Sequence, residues 1–223
     1  RFLSAASPFI AVLLTLLIGC LIFAGMGKDP MHSMYVFIVE PLLTLRGWGE
    51  LGVKMTPLIL CALGLLVCYR ANVWNIGAEG QLIVGALAGG VVALQVSPEA
   101  SQLYMIWVIL AAMVGGALYA GIVAWLKDKC NANEILVSLM LVYIAELFLS
   151  WAVQSPLRDP QGLGFPQSPM FETAATLPIM IPGTRMHWGG ALVCFALFGI
   201  WLIMSKMFIG FQVRVSGMAP KAA

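Results

Sequence analysis

Polar side chains and glycines are concentrated in one short segment between two apolar runs. The segment NVWNIGAEGQ (72–81) carries Asn75, Glu79 and Gln81 together with two glycines. Glycine lets the backbone leave helical geometry, and the amide and carboxylate groups can satisfy free peptide groups or bind a polar solute. An ordinary capped turn is the alternative, because Asn and Glu are common at helix starts. The spacing alone leaves both interpretations open.

One ionisable side chain, Glu146, lies near the middle of an apolar run. It follows Ile135 by 11 positions, with Tyr143 and Ser150 about one turn to either side. At that depth in a membrane a carboxyl group is costly unless it faces a cavity or finds a partner. We therefore expect Glu146 to face the bundle interior or a solute path. The alternative is a protonated carboxyl that is hydrogen-bonded to a neighbouring helix.

The residue types do not indicate a metal or catalytic site. Five cysteines and two histidines are present, but there is no Cys-x-x-Cys pair and neither histidine has a partner at ligand spacing. The sequence also lacks a phosphate-binding loop of the Gly-x-x-x-x-Gly-Lys-Ser/Thr type. A membrane-embedded enzyme would need clustered His, Asp or Cys near one interface, and none is seen. We expect no catalytic residue and no metal ligand in this chain.

The composition places these side chains in a membrane protein. Of the 223 residues, 61% are hydrophobic and 10% are charged, whereas a soluble domain carries about 25% charged residues. The net charge is only +2 and the basic residues are scattered, which excludes the basic patch of a nucleic-acid-binding protein. Apolar runs near the length of a transmembrane helix recur along the sequence.

We predict an all-α fold, a polytopic helical membrane bundle with about six spans in a single transmembrane domain (1–223). The second span is the weakest, because it requires Lys54 to snorkel or the helix to break at Pro57. The predicted spans are 8–26, 51–69, 80–98, 104–126, 135–154 and 186–205.

The distribution of Lys and Arg predicts a cytoplasmic N-terminus. In that orientation the short segments 70–79 and 127–134 and the chain after about residue 206 are cytoplasmic and dense in basic residues, as the positive-inside rule requires. The longer segments 27–50 and 155–185 are then extracytoplasmic. The second of them contains too many Pro and Gly residues for a helix, so we expect an extended flap or a plain connector.

Small residues recur at helical spacing in two neighbouring spans. Gly85 and Gly89 lie four residues apart in the third span, and the fourth span carries a longer stripe. The members of that stripe are Ala112, Gly116, Ala120 and Ala124. Lipid provides no hydrophobic force between helices, so their association depends on small residues that permit close approach. We expect both stripes to be buried helix contacts in a compact bundle.

Four sequence blocks resemble one family of membrane proteins. They are NVWNIGAEGQLIVGALAGG (72–90), NANEILVSLMLVYIA (131–145), SPLRDPQGLGFPQSP (155–169) and GFQVRVSGMAPKAA (210–223). In order and spacing they are similar to permeases of ABC importers for simple sugars and nucleosides (the ribose and branched-chain amino acid type), and most similar to the nucleoside branch. The chain departs from that pattern at three positions, where the family has Gly at Asn131, a small polar residue at Val137 and Asn at Val142.

The resemblance implies a permease subunit that is not an enzyme and has no cofactor of its own. The implied partners are a second permease subunit, two ATPase subunits that bind the ATP, and an extracytoplasmic solute-binding protein or lipoprotein, assembled at the cytoplasmic membrane. The segment 210–223 would begin a cytoplasmic coupling helix that docks on the ATPase. The residues implied in coupling are Gly210, Arg214, Gly217, Pro220, Ala222 and Ala223.

Seven residues are predicted to belong to the solute path or its gating. They are Asn75, Glu79, Gln81, Asn133, Glu134, Tyr143 and Glu146. The solute stays open between a nucleoside and a simple sugar. A secondary transporter or channel is the alternative function, with Glu146 as its support. Because the chain begins without Met and stops inside the implied coupling helix, we expect it to be the N-terminal part of a longer permease.

Overall fold

The computed structural model describes residues 2–218, and side chains from residue 7 onward. The described chain is helical, with irregular connections and no β-strand. Its helices are α1 (Phe2–Gly25), α2 (Pro30–Met34), α3 (Glu40–Leu43), α4 (Leu45–Arg70), α5 (Ala78–Ala93), α6 (Tyr104–Cys130), α7 (Glu134–Gln154), α8 (Gly189–Lys206) and α9 (Phe208–Met218). A π-helical turn (Tyr35–Val39) joins α2 to α3, and a 3-10 turn (Thr173–Ala175) lies in the loop before α8.

Five helices are long and apolar enough to cross a membrane, so the predicted all-α, multi-span fold is confirmed. They are Ser7–Gly25 within α1, Leu45–Arg70, Tyr104–Cys130, Glu134–Gln154 and Gly189–Lys206. The predicted third span (80–98) differs, because α5 has 16 residues and ends at Ala93. At the rise of an α-helix it is about 24 Å long, which is shorter than a hydrocarbon core of about 30 Å.

The second span is a continuous helix and is not broken at Pro57. Helix α4 has 26 residues and contains Pro57 in its interior. Membrane helices tolerate an internal proline because neighbouring groups compensate for the lost backbone hydrogen bond. Lys54 is exposed, so the snorkelling alternative fits this helix and the predicted break does not.

The segment predicted as a long outer loop, 27–50, is largely helical. The Asp29 carboxylate accepts hydrogen bonds from the backbone N–H groups of Met31 and His32 and caps α2, which Pro30 begins. Asp followed by Pro is a helix-start signal, but the apolar run after it is too short to predict a helix from its periodicity. Extended backbone at Thr44 then separates α3 from α4.

The chain divides into two compact units. The first contains the chain up to Lys54 and the segment Ile179–Met186. Within it, the Glu50 carboxylate pairs with the Arg185 guanidinium at 3.6 Å. A Cβ atom added at Gly49 would lie 2.6 Å from Cβ of the buried Thr184. Because Gly49 has no side chain, the first turns of α4 pack closely on the segment Ile179–Met186.

The second unit is built on the packing of α5 against α6. A Cβ atom added at Gly85 would lie 2.8 Å from the Ala112 carbonyl oxygen, and one at Gly89 would lie 3.1 Å from the Ala112 Cβ. The backbones of the two helices thus approach through small residues, so both stripes form helix contacts as predicted, and the structure pairs them with each other. The stripe on α6 is not buried along its whole length, since Ala124 is exposed.

Three segments that were predicted to share one membrane face meet at one end of this unit. The backbone N–H of Ile76, in the loop before α5, donates to Oγ of Ser138 in the first turns of α7, at 3.1 Å. Gly217 of α9 packs on the carbonyl group of Arg70 at the end of α4. The backbone N–H of Trp74 also lies within interaction range of the Glu134 carboxylate, so the segments 70–79 and 127–134 and helix α9 lie at the same end of this unit.

The long loop lies at the other end of α5. Between residues 155 and 178 the chain is irregular apart from the 3-10 turn, as its Pro and Gly content predicts. Ala174 and Ala175 of that turn are buried with Ala93 and Val96 at the end of α5. This small apolar cluster fixes the loop to the helix pair.

Candidate functional site

The polar segment begins where α4 ends in a left-handed turn. Asn72 has φ +57°, and the N–H of Val73 donates to the carbonyl of Cys68, which closes the helix. The Trp74 ring then packs on Tyr69, with ring centroids 5.6 Å apart. Asn tolerates the left-handed conformation better than most residues. The chain is thereby turned back toward α5 without an additional helical turn.

Asn75 and Gln81 form a reciprocal pair of side-chain amides. Each amide donates to the other at 3.3 Å. The Asn75 Oδ1 atom also accepts the N–H of Gly77 at 2.9 Å, and Asn75 is only 9% exposed. The helix cap of α5 is Gly77 and involves no side-chain hydrogen bond. The amides are therefore not an ordinary helix cap, although Asn75 does shape the turn that precedes α5.

The pair leaves hydrogen-bonding capacity for another molecule. A side-chain amide has two N–H donors and an oxygen with two lone pairs. The oxygen of Asn75 is fully used, whereas Gln81 keeps one free lone pair and each amide keeps one free N–H group. Donors and acceptors held side by side in this way are suited to a hydroxyl group, which both donates and accepts.

A cavity of about 310 Å³ lies beside this pair, between α4, α5 and α6. Asn75 and Gln81 form its polar wall, and small residues of α4, including Cys61, Gly64 and Cys68, lie across from them. Ala120 of α6 completes it. Pockets for small molecules start at about 300 Å³ and combine apolar walls with a few placed polar groups. The size and the lining fit a small polar molecule.

Ser138 of α7 fixes the polar segment in place, and no sequence pattern identifies it. It is fully buried, accepts the N–H of Ile76, and donates to the Ile135 carbonyl at 3.1 Å. A Cβ atom added at Gly77 would lie 3.0 Å from the Ser138 Cβ. A single serine in an apolar span is a weak signal, and only the proximity of α7 to residues 75–77 explains it.

Asn133 and Glu134 lie at the same end of the unit but do not line the cavity. Asn133 caps α7 by accepting hydrogen bonds from the next turn, the closest from Ile135 N–H at 2.9 Å. The Glu134 carboxylate pairs with Lys127 at 2.7 Å, and the backbone N–H of Trp74 lies within interaction range of it. These two residues therefore connect the α6–α7 turn to the polar segment.

The remaining predicted path residues lie apart from the amide pair. Glu79 is exposed in the first turn of α5, and Tyr143 and Glu146 are exposed on α7. Helix α7 packs through the face that carries Ser138, Val142, Ala145 and Ala152. Glu146 follows Val142 by four residues, so it lies at the edge of that face, and its side chain is exposed. Among the described residues Glu146 does not reach the interior, and its place in a solute path stays a prediction.

The implied coupling residues fall partly within the described chain. Gly210 is buried against the end of α8, and Arg214 donates from Nε to the Gly210 carbonyl at 3.2 Å within α9. Gly217 packs on Arg70. Pro220, Ala222 and Ala223 lie outside the described residues. Helix α9 is therefore held at both of its ends by glycine contacts.

A metal centre does not form in the described chain. Residues 2–218 contain no group of three His, Cys, Asp or Glu side chains placed to hold a metal ion. The chemistry that the amide pair offers is hydrogen bonding to a polar solute.

Comparison with known proteins agrees with these features. Residues 49–223 match the family described as the permease component of branched-chain amino acid transport systems. A glucose ABC transporter permease protein of Haloferax volcanii is 37% identical over 100% of the chain and 60% of its own length. A nucleoside ABC transporter permease protein of Lactococcus lactis is 26% identical over 97% of the chain and 61% of its own length.

A guanosine ABC transporter permease protein of Bacillus subtilis is 28% identical over 97% of the chain and 62% of its own length. The chain thus spans about three fifths of the length of these relatives. No solved structure matches it.

Proposed function

Since the chain belongs to the family of branched-chain amino acid transport system permease components, we propose that it forms the membrane path of an ATP-driven importer for a small polar solute. The observation that carries this is the alignment of essentially the whole chain with relatives named as ABC transporter permeases. In such a transporter the permease supplies the path, and separate ATPase subunits bind and hydrolyse ATP. This chain needs no cofactor of its own for that task.

The solute is a sugar or a nucleoside. The relatives are named for glucose, nucleoside and guanosine transport, and all three solutes contain a ring with several hydroxyl groups. The free donors and the free lone pair of Asn75 and Gln81 suit such hydroxyl groups. The 310 Å³ cavity supports a solute of this size.

The end of the second unit that carries 70–79, 127–134 and α9 faces the cytoplasm. Its basic residues favour this orientation under the positive-inside rule. Helix α9 would dock on an ATPase subunit, and the loop 155–178 would face an extracytoplasmic solute-binding protein or lipoprotein. The assembly would contain a second permease subunit and two ATPase subunits in the cytoplasmic membrane.

Uptake of radiolabelled solute by reconstituted vesicles tests this function. The full-length permease is incorporated with its partner subunits, and uptake is expected only when the ATPase subunits and ATP are both present. A proton gradient without ATP is expected to drive none. Uptake driven by the gradient alone would instead favour a secondary transporter, in which Glu146→Gln should abolish transport.

We expect Gln81→Met to raise the solute concentration at half-maximal uptake roughly tenfold, as for the loss of one buried polar contact worth about 1.4 kcal/mol. Methionine has nearly the same length but cannot hydrogen-bond strongly to a hydroxyl group. The measurement is initial uptake against solute concentration. Gln102→Met is the matched control, because Gln102 is exposed in the turn before α6. An unchanged concentration dependence in Gln81→Met would remove the amide pair from the path.

A further inference from the structure

A large cleft with mainly apolar walls lies in the first unit. Its volume is about 1110 Å³, and it is formed by the end of α1, the helical segment that follows, and the first turns of α4. Phe23, Val36, Phe37 and Leu42 are among its apolar lining residues. Two of these belong to the π-helical turn (Tyr35–Val39), and such turns are frequent at functional sites.

Three basic side chains also line this cleft. They are Lys28, Arg46 and Lys54. The carboxylate at the cleft belongs to Glu50, which lies between Arg46 and Lys54 on one face of α4. Glu50 pairs with Arg185 at 3.6 Å. Within the described part of the chain none of the three basic side chains has an ion pair. The cleft therefore carries net positive charge beside an apolar surface.

The depth of Lys28 and Arg46 fits the boundary between hydrocarbon and headgroups, whereas Lys54 lies about 12 Å farther along α4 and reaches toward that boundary by snorkelling. Lys28 follows the first span by three residues, and Arg46 is the second residue of α4. Trp48 in the same turn is 58% exposed. Lys, Arg and Trp at span ends are typical of the membrane interface. A group bound between the cations would thus lie at the level of lipid phosphates.

A second groove continues from the cleft along α1. It has a volume of about 270 Å³ and shares Phe23, Phe37 and Ile38 with the cleft. Thr15 and Leu16 line it farther along α1, toward the middle of the first span. All of its lining side chains are uncharged. The two spaces together place a cationic region at the interface and an apolar channel leading into the membrane.

We propose that this unit binds an anionic phospholipid, with the phosphate between Lys28, Arg46 and Lys54 and one acyl chain in the groove along α1. A neutral phospholipid would bring its own cation to a region that is already positive, whereas a lipid with net negative charge neutralises it. A soluble phosphate would leave the apolar groove unfilled. The site requires only that the chain lies in a membrane, and it is independent of the proposed transport.

Lipid retention by the assembled transporter tests this site. The full-length permease with its partner subunits is reconstituted in nanodiscs of phosphatidylcholine with a minor fraction of phosphatidylglycerol, and retained lipids are counted by native mass spectrometry. Replacing all three cations, by Lys28→Gln, Arg46→Gln and Lys54→Gln, is expected to lower the enrichment of phosphatidylglycerol roughly tenfold or more. Val36→Trp, which fills the cleft without changing charge, is expected to lower it as well.

The matched control removes the same charge elsewhere, by Lys129→Gln, Arg158→Gln and Lys206→Gln, and should retain full enrichment. Equal enrichment in the cleft variant and the control would overturn the site. So would displacement of the lipid by excess inorganic phosphate, or cross-linking of the Val36→Cys variant to another segment of the permease. If the triple variant does not fold, Lys28→Gln alone should lower enrichment about fivefold, and no change there would equally overturn it.

Discussion

Gly85→Leu is expected to lower the free energy of unfolding of the permease by about 3 kcal/mol and to prevent its assembly. A Cβ atom at this position would lie 2.8 Å from the Ala112 carbonyl oxygen and 3.5 Å from the backbone N of Gly116. These are backbone atoms of α6, so they cannot turn aside as a flexible side chain could. The whole helix pair would have to separate, and it is the packed centre of the second unit. Unfolding of the purified permease in detergent, followed by circular dichroism, measures the loss.

Gly121→Leu is the matched control for this change. Gly121 lies on α6, and a Cβ atom added there would meet no other atom within 4 Å. In that position leucine should leave stability unchanged or raise it slightly, because leucine favours a helix more than glycine does. Equal stability of the two variants would mean that the α5–α6 contact does not hold the unit together.

The sequence predicted this helix contact but not its register. Gly85, Gly89, Ala112 and Gly116 were identified from their spacing alone, since small residues are what membrane helices require for close approach. Gly115 was not, although a Cβ atom there would lie 2.6 Å from the Ala88 Cβ. Spacing within one helix shows which face is small. It does not show which residues of the partner helix that face contacts.

The polar segment shows a similar limit. Asn75 and Gln81 were identified because amides between apolar runs are unusual, and they are six residues apart, so local turn geometry can bring them together. Ser138 lies 62 residues beyond Ile76, and no local pattern links the two. A related limit applies to Glu146. The sequence predicts the depth of this residue in the membrane, but it does not predict the direction of the side chain.

The structure gives a physical reason why asparagine is suited to position 131, where the resemblance leads us to expect glycine. The position has φ +51° and ends α6 in the left-handed conformation. Glycine is the usual residue there because it lacks a Cβ atom, and asparagine is the next most tolerated. The substitution therefore keeps the turn that leads to the Asn133 cap. At Val142, in contrast, the buried side chain lies where Gly80 packs on α7, so an apolar residue suits a site that faces another helix.

Gly217→Ala is expected to reduce ATP-driven uptake strongly, since overpacking of about 3 kcal/mol lowers the equilibrium constant for docking of α9 roughly a hundredfold. The added Cβ atom would overlap the Arg70 carbonyl oxygen and approach the Ala71 carbonyl carbon at 3.1 Å. Helix α9 would then leave the end of α4, from which the chain continues directly into Asn72 and Asn75. In the proposed function this contact transmits movement of the ATPase subunits to the cavity, so the loss should appear in uptake.

A purely structural role of Gly217 would give a different result from a coupling role. If α9 only stabilises the fold, Gly217→Ala should lower uptake and ATP hydrolysis in parallel with the amount of intact permease. If α9 couples the two processes, ATP hydrolysis by the assembled complex should persist while the solute molecules taken up per ATP fall. Gly199→Ala, at a position on α8 where an added Cβ atom meets nothing within 4 Å, should change neither quantity. An unchanged ratio of uptake to hydrolysis in Gly217→Ala would refute coupling through Arg70, because the contact would then be lost without any effect on the transmitted movement.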